Sequence, residues 1–191
     1  MSPTALVTGA GRGLGAGIAR LLATDHDVLV GGTTADSVVG IVDELSTATP
    51  WPVDLTDADA LRAATADIDS LDVLVHNAGV ADLGTVEELT LEDWRHTFEA
   101  NVFAVAELTR LLLPALRRAR GHVVLINSGA GLRANPRWSA YAASKFALRA
   151  FGDALRQEEP DLRVTSVHPG RIDTDMQRAI VAGEGKSYDG S

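Results

Sequence analysis

The chain contains no cysteine, which excludes a disulfide framework and any metal site built on thiolates. No apolar run approaches the roughly 18 residues that a membrane-spanning helix needs. Lys and Arg number 17 against 26 Asp and Glu, so the formal net charge is −9. This charge argues against nucleic acid and against an anionic membrane as partners. The first apolar segment follows Met1 almost directly and leaves no room for a signal peptide, so we expect a cytoplasmic protein.

Short apolar runs alternate with amphipathic stretches along the whole chain. A length of 191 residues with 46% apolar residues suits one domain with a sizeable core, so we expect a single domain over residues 1–191. The alternation predicts an α/β fold of three layers, a doubly wound parallel sheet covered by helices on both faces. The predicted strands are residues 4–8, 27–32, 51–53, 71–76, 121–127 and 162–168. The predicted helices are residues 13–23, 36–45, 57–66, 91–118 and 138–157, and Pro114 should kink the fourth or end its regular part.

Two scarce residue types stand four positions apart. The chain has only two tyrosines and two lysines, and Tyr141 precedes Lys145 by four residues inside a predicted helix. Residues at this spacing share a helix face. An ammonium near a phenol favours the phenolate, so we expect Lys145 to lower the pKa of Tyr141. The pair would then be an acid/base suited to moving a proton on and off a substrate oxygen. The alternative is a surface tyrosine packed against a lysine stem.

A glycine-rich turn follows the first predicted strand. It reads Thr8-Gly-Ala-Gly-Arg-Gly-Leu-Gly15 and precedes apolar residues at helical spacing. In a strand–turn–helix context, glycines let the backbone approach a pyrophosphate, and the helix N-terminus offers free N–H groups to the anion. The turn therefore predicts a Rossmann-type dinucleotide site, and the alternative is an ordinary tight turn. With right-handed crossovers it predicts the strand order 3-2-1-4-5-6.

Six features, in the same order, resemble the short-chain dehydrogenase/reductase family of the common soluble type. The separation of thirteen between Ser128 and Tyr141 is also similar to that family, and the resemblance covers about residues 4–176. The six features are the turn Thr8–Gly15, Asp54 in Val-Asp-Leu-Thr, His76-Asn77-Ala78-Gly79, Asn101 in Ala-Asn-Val-Phe, Ser128 with Tyr141 and Lys145, and Pro169-Gly170-x-x-x-Thr174.

The resemblance implies an NAD(P)-dependent oxidoreductase that transfers hydride between nicotinamide and a carbonyl or alcohol substrate. Tyr141 would exchange the proton, and Ser128 would hydrogen-bond the same substrate oxygen. Lys145 would bind the nicotinamide ribose, and Asn101 would order a water that joins Lys145 to solvent. Asp54 would meet the adenine amino group, unless it only supplies negative charge before the next helix. The implied cofactor contacts are Thr8, Gly9, Gly11, Arg12, Gly13, Leu14, Gly15, Thr33, Thr34, Asp54, Leu55, Asn77, Ala78, Gly79, Tyr141, Lys145, Pro169, Gly170, Ile172 and Thr174.

The end of the second predicted strand bears on the choice of cofactor. NAD-selective Rossmann sites place an acid there on the ribose hydroxyl, whereas this chain reads Gly31-Gly-Thr-Thr34. Arg12 stands inside the glycine turn, and Thr33 and Thr34 could donate hydroxyl hydrogen bonds to a 2′-phosphate. We therefore favour NADP(H), while NAD(H) stays possible because this strand lacks the basic residue of many NADP enzymes. The alternative for Arg12 is a solvated surface charge.

Other expectations concern substrate, assembly and the tail. Candidate pocket residues, placed by position alone, are Asp82, Gly129, Leu132, Arg133, Trp138, Arg171 and Ile172. His76 and His168 are interpreted as structural, and we expect no metal site because no ligand spacing supports one. The resemblance implies a homodimer or homotetramer, and residues from about 177 to 191 would begin a substrate-covering segment. We expect the chain to continue past Ser191, since an end there would leave a sheet edge bare.

Two further function classes stay open from the sequence. A catalytically idle Rossmann protein could sense NADP(H) and regulate a partner, and such proteins tend to lose the tyrosine or lysine that this chain retains. An isomerase or dehydratase that uses a bound cofactor is more typical of longer relatives. The sequence does not specify which small carbonyl or alcohol compound would be the substrate.

Overall fold

Six parallel strands form one sheet in the order β3-β2-β1-β4-β5-β6. The protein is represented by a computed structural model that describes residues 2–170 and residue 178. All five strand pairings are parallel, with Leu6 opposite Leu29 on one side and Leu74 on the other. The predicted α/β class and strand order are therefore confirmed. The strands are β1 (Thr4–Val7), β2 (Asp27–Gly32), β3 (Ala48–Pro52), β4 (Val73–His76), β5 (His122–Ile126) and β6 (Arg163–Val167).

Helices connect successive strands and cover both faces of the sheet. Side-chain caps fix two of their starts. Asp57 accepts the N–H groups of Asp59 and Ala60 at 3.0 Å, and Thr90 forms a reciprocal capping box with Asp93. The helices are α1 (Gly13–Leu22), α2 (Val39–Glu44), α3 (Ala58–Thr65), α4 (Leu91–Phe98), α5 (Ala104–Ala119) and α6 (Ser139–Glu158), with a π-helical turn at Glu99–Phe103 and a 3₁₀ turn at Gly129–Gly131.

The core consists of two apolar layers separated by the sheet. Alternate residues of β1 face opposite layers, because successive side chains of a strand point to opposite faces. Leu6 packs with leucines of α3, α5 and α6, whereas Val7 packs with Ala16 and Ala19 of α1 and with Ile41 of α2. This burial leaves the carboxyl ends of the strands, and the loops that follow them, as the place where polar side chains gather.

The long helix predicted over residues 91–118 is interrupted, but at a different place from the one expected. The π-helical turn at Glu99–Phe103 separates α4 from α5, and Asn101 lies inside that turn. The helix then runs regularly through Pro114 to Ala119, so the expectation that Pro114 might end it is wrong. Pro114 and Arg110 are exposed. The carbonyl of Arg110, which loses its helical N–H partner to the proline, can therefore bind water instead.

Two further elements differ from the predicted boundaries. Strand β3 begins three residues earlier than expected and includes Pro50 and Pro52. Proline is tolerated there because β3 is an edge strand of the sheet. Helix α2 begins at Val39 rather than residue 36, because Thr34 and Ser37 form a side-chain turn of their own. Ser37 Oγ donates to the Thr34 carbonyl at 2.6 Å, and Thr34 Oγ1 accepts the Ser37 N–H at 3.3 Å.

Over residues 2–170 and 178, no helix is long and apolar enough to cross a membrane. Within the same residues, no group of three or more His, Asp or Glu side chains could hold a metal ion.

Candidate active site

Four loops meet at the carboxyl edge of the sheet. They follow β1, β4, β5 and β6, and they carry the glycine turn, Asn77, Ser128 and Pro169. Because neighbouring strands are parallel and in register, their carboxyl ends lie side by side. This is where open α/β sheets bind ligands.

The glycine turn has a backbone that side chains would not tolerate. Gly9 and Gly13 have φ values of +61° and +55°, in the left-handed region. A Cβ at Gly15 would lie 2.3 Å from the Gly9 carbonyl oxygen and 2.4 Å from Nδ2 of Asn77. Helix α1 starts directly after Arg12, whose side chain makes no capping bond to it. The first N–H groups of α1 are thus available to an anion, since helix geometry gives them no partner within the helix.

The turn is tied to the loop after β4 by Thr8 and Asn77. Thr8 Oγ1 accepts the N–H groups of Asn77 and Ala78 at 3.0 and 3.1 Å. Asn77 Nδ2 donates to the carbonyls of Thr8 and Gly9 at 3.0 and 2.9 Å. Both residues were predicted to contact the cofactor. In the structure their side chains hold two loops together and thereby shape the glycine turn.

A small cleft opens beside the turn. Trp51, Val53 and Leu55 supply apolar surface. Gly31 also lines the cleft and packs closely on β1, because a Cβ there would lie 2.8 Å from the Val7 carbonyl oxygen. This cleft is largely apolar and adjoins the glycine turn. The lining residues are Thr8, Gly9, Gly31, Gly32, Thr33, Trp51, Val53, Leu55 and Ala78.

Polar residues near this cleft are held by local hydrogen bonds. Asp54 Oδ1 accepts both the N–H and the hydroxyl of Thr56, at 2.9 and 2.7 Å. These bonds, the backbone one first, lower the pKa of Asp54. Thr34 is bonded to Ser37, and Gly11 packs so tightly on that turn that a Cβ would lie 1.9 Å from the Ser37 carbonyl oxygen. The loop after β2 is therefore braced directly against the glycine turn.

Tyr141 and Lys145 are buried on the inner face of α6, each only 6% exposed. The Lys145 ammonium lies 5.8 Å from the centre of the Tyr141 ring and donates to the Ile126 carbonyl at 3.1 Å. Ser128 extends from the end of β5, and its side chain lies close enough to the Tyr141 phenol to lower the pKa of that phenol. The structure thus brings three of the four predicted catalytic side chains into one cluster.

Burial dominates the acid–base character of this cluster. Burial raises the pKa of Tyr141, and the nearby Ser128 hydroxyl lowers that pKa by a smaller amount. Burial also lowers the pKa of Lys145 to about 8. The expectation that Lys145 brings the pKa of Tyr141 below its usual value is therefore wrong for the protein without cofactor. Burial of the phenol raises this pKa, and the Lys145 ammonium, 5.8 Å from the ring centre, does not reverse the rise.

Asn101, the fourth predicted catalytic residue, is buried in the π-helical turn. Its Oδ1 accepts the Val80 N–H at 2.9 Å, and its Nδ2 donates to the Val80 carbonyl at 2.9 Å and to Ser144 Oγ at 3.0 Å. The side chain therefore joins the loop after β4 to helix α6. A Cβ at Gly79 would lie 2.9 Å from Asn101 Oδ1 and 3.7 Å from the Lys145 ammonium, so Asn101 adjoins the cluster.

Apolar residues pack against Tyr141. Trp138 meets the Tyr141 ring edge-on at 5.8 Å, and Ala81 and Leu83 pack against the same group. Of the predicted pocket residues, Leu132 and Arg133 are exposed. Asp82 instead points to α4, where its carboxylate lies 2.7 Å from His96 Nδ1 and accepts the Thr97 hydroxyl at 3.0 Å.

Comparison with known proteins identifies the family. The family model described as short chain dehydrogenase matches residues 3–185. The chain belongs to the short-chain dehydrogenase family. Dehydrogenase/reductase SDR family member 7B of Bos taurus is 36% identical over 201 residues, and the match covers 96% of this chain but 62% of that protein. The chain therefore spans about three fifths of this relative's length.

Solved structures of other family members superpose on the same fold. A short-chain dehydrogenase from Streptomyces avermitilis gives a TM-score of 0.87 at 34% identity, covering 92% of this chain and 68% of that one. An alcohol dehydrogenase from Thermococcus sibiricus, in complex with 5-hydroxy-NADP, gives a TM-score of 0.87 at 28% identity, covering 92% of this chain and 79% of that one.

Several residues of the candidate site were not predicted from the sequence. Trp51 lines the cleft, and Asn127 bonds the main chains of Ser128 and Lys145. His168 Nδ1 lies 2.9 Å from the Ser128 carbonyl, so the ring donates to it. These roles arise from contacts between distant elements, and only the position of Asn127, next to a motif serine, could have drawn attention to it.

Five expectations fall on residues that, apart from residue 178, lie outside the described part of the chain. They concern Arg171 as a pocket residue, Ile172 as both a pocket residue and a cofactor contact, Thr174 as a cofactor contact, and the substrate-covering segment from about residue 177. Pro169 and Gly170 are described and follow β6 at the carboxyl edge of the sheet, and a Cβ at Gly170 would meet nothing within 4 Å.

Proposed function

We propose that the chain is an NADP(H)-dependent oxidoreductase that interconverts a carbonyl compound and its alcohol. The observation that carries this proposal is the cluster of the Tyr141 phenol, the Ser128 hydroxyl and the Lys145 ammonium beside a glycine turn built for a pyrophosphate. A regulatory protein that only senses a dinucleotide needs the turn but not a buried phenol beside a serine hydroxyl and a lysine ammonium.

The residues that would hold the cofactor fit its parts. The glycine turn and the start of α1 offer backbone N–H groups to the pyrophosphate, and the cleft of Trp51, Val53 and Leu55 suits adenosine. The Lys145 ammonium and the loop 77–79 would adjoin the nicotinamide ribose. When bound, the reduced cofactor supplies the hydride for the carbonyl carbon.

The chain's own residues handle the oxygen and the proton. As hydride reaches the carbonyl carbon, negative charge grows on the oxygen, and the Ser128 hydroxyl donates a hydrogen bond to it. Tyr141 gives its proton to the same oxygen, which completes the alcohol. Because burial raises the pKa of Tyr141, the phenol is protonated at neutral pH and ready for reduction. Oxidation of an alcohol would need the phenolate, which the Lys145 ammonium would stabilise.

NADP(H) is the favoured cofactor. Arg12 lies at the start of α1, and the braced loop after β2 carries Thr33 and Thr34 and no acid at the end of the strand. A solved relative at 28% identity is a complex with 5-hydroxy-NADP, which agrees with this preference. Calorimetric titration with NADPH and NADH tests it, and tighter binding of NADH would contradict it.

The activity itself is tested by following NADPH oxidation with a panel of ketones, aldehydes and quinones. We expect at least one carbonyl class to be reduced by the wild type and none to be reduced at a comparable rate by Tyr141→Phe. A protein that binds NADPH but reduces no member of the panel would favour the regulatory alternative.

We also propose that the chain assembles at least as a dimer through α4, the π-helical turn, α5 and α6. Phe103 and Phe146 are 55% and 42% exposed, and Phe103 extends a row of aromatic rings with Phe98 and Trp94. Exposed aromatic side chains on adjacent helices are typical of an interface. Two further expectations from the sequence stay proposals. They are a cytoplasmic location and a cover over the substrate that begins at about residue 177.

A further inference from the structure

Asn127 occupies the point where strand β5 meets the two catalytic elements. It directly follows β5, is 4% exposed, and donates its backbone N–H to the Val167 carbonyl at 2.8 Å. A buried primary amide has to satisfy both its oxygen and its nitrogen, because an unpaired buried polar group costs free energy. The partners of this amide therefore indicate what it does.

The two ends of the Asn127 amide bind the two catalytic segments. Oδ1 accepts the Ser128 N–H at 2.9 Å, and Nδ2 donates to the Lys145 carbonyl at 3.1 Å. The Lys145 ammonium in turn donates to the Ile126 carbonyl at 3.1 Å. The end of β5 thus holds Lys145 both at its backbone and at its ammonium, and it holds Ser128 through the same amide.

A glycine in the next turn makes room for this amide. A Cβ at Gly131 would lie 2.4 Å from Asn127 Oδ1 and 2.9 Å from the Lys145 carbonyl oxygen. The Gly131 N–H donates to the Ser128 carbonyl at 3.0 Å, so the turn folds back over the serine. The end of β5, the turn at Gly131 and helix α6 therefore all approach the Asn127 amide closely, and the amide packs tightly between them.

We propose that Asn127 is a positioning residue that fixes the distance between the Ser128 hydroxyl and the Tyr141 phenol. Tyr141 lies one helical turn before Lys145 on α6, so the bond from Asn127 to the Lys145 carbonyl locates Tyr141 as well. Asn127 contacts neither substrate nor the reacting hydroxyls; it acts through the backbone of their neighbours. This role deepens the proposed function and rests on it for its effect on turnover.

The chemistry of the site requires an amide rather than another side chain of similar size. Aspartate would still accept the Ser128 N–H, but its second oxygen would face the Lys145 carbonyl, and two acceptors repel. Alanine would leave the Ser128 N–H without its side-chain acceptor and would remove the side-chain donor to the Lys145 carbonyl. Either change should let the serine loop and α6 separate, and small misplacements of reacting groups reduce turnover strongly.

Kinetics of single and double variants test this role. We expect Asn127→Ala and Asn127→Asp to lower kcat by about 10- to 100-fold, with a smaller loss of NADPH affinity, since Lys145 keeps its own side chain for the ribose. In a Ser128→Ala background the same changes should cost less than about threefold, because residues that act as one unit are not additive. As a control, Thr65→Val removes a buried polar group on α3, the Thr65 hydroxyl, and should leave kcat unchanged. A wild-type kcat in Asn127→Ala, or a full additional loss in the Ser128→Ala background, would overturn the proposal.

A spectroscopic measurement keeps the test independent of activity. The chain has only two tyrosines, so protein with ¹³C at the tyrosine ζ carbon gives two resonances, and Tyr141→Phe assigns them. We expect Asn127→Ala to move the Tyr141 resonance and its titration with pH, and Thr65→Val to leave both in place. An unmoved Tyr141 resonance would overturn the positioning role, even if no substrate is found and the proposed function itself fails. If Asn127→Ala does not fold, Asn127→Ser is measured against the same criteria.

Discussion

At the residue scale, burial rather than charge pairing sets the protonation of the candidate catalytic groups. Desolvation raises the pKa of Tyr141 and lowers the pKa of Lys145 to about 8. The Tyr141 phenol is therefore protonated at neutral pH, which is the form that the proposed reduction of a carbonyl requires.

Arg12 is the residue on which the proposed preference for NADP(H) depends most. Arg12→Ala should weaken NADPH binding by about 1.5–3 kcal/mol, the usual strength of a hydrogen bond to a charged group, and spare NADH. Calorimetry measures both. Arg20→Ala is the matched control, since that arginine lies on the same helix and pairs with Glu44 at 2.8 Å. Equal effects on the two cofactors, or an equal effect of the control, would contradict the assignment.

His76 should make the protein sensitive to acid. It is buried at the end of β4, its Nε2 donates to Thr109 Oγ1 at 2.9 Å, and burial lowers its pKa to about 3. The unfolded chain binds that proton near pH 6.5 and the folded one only near pH 3, so stability is lost as the pH falls between these values. From pH 7 to pH 5 this group should cost about 2 kcal/mol.

Denaturant titrations between pH 4 and pH 8 measure this loss. Within that range His76→Asn should show a smaller dependence of unfolding free energy on pH than the wild type. Parallel curves for wild type and His76→Asn would show that His76 is not the titrating group.

At the element scale, local sequence predicted the elements well and their interruptions poorly. The apolar runs and the glycine turn were sufficient for all six strands and their order. The break in the fourth helix was expected at Pro114, a local signal, but it lies at Asn101, because that side chain bonds Val80 and Ser144 from other elements. Contacts of this kind, like those of Trp51 and Asn127, depend on tertiary packing and leave no periodic pattern in the chain.

The glycine turn gives a prediction with an internal control. Gly15→Ala would place a Cβ 2.3 Å from the Gly9 carbonyl, so the turn must shift, and we expect a loss of about 1–3 kcal/mol of stability together with weaker NADPH binding. Gly17, two residues further along α1, has nothing within 4 Å of its Cβ position. Gly17→Ala should therefore stabilise the helix by about 0.5–1 kcal/mol and leave NADPH binding unchanged. Thermal unfolding and calorimetry compare the two, and similar behaviour would contradict the proposed turn geometry.

At the scale of the whole molecule, the proposed interface can be tested by changing one exposed ring. Phe146 is exposed on α6, the helix that packs against both α4 and the π-helical turn. A charge at that position would be buried unpaired across a two-fold interface, so Phe146→Glu should shift the protein toward monomer. Leu21→Glu, at a position that is 71% exposed on α1, should leave the assembly unchanged. Light scattering at micromolar concentration measures both, and a monomeric wild type would defeat the proposal.

The central claim is that this family member moves hydride from NADPH to a carbonyl carbon with Tyr141 as proton donor. Its most direct test is reduction of a carbonyl substrate with NADPH that carries deuterium at the transferred position of the nicotinamide ring. The account predicts one deuterium on the carbinol carbon of the product. It also predicts that Tyr141→Phe loses turnover by about 10²–10⁴-fold while it binds NADPH with nearly unchanged affinity. An alcohol product without the label, or a Tyr141→Phe variant that retains most of its turnover, would contradict it.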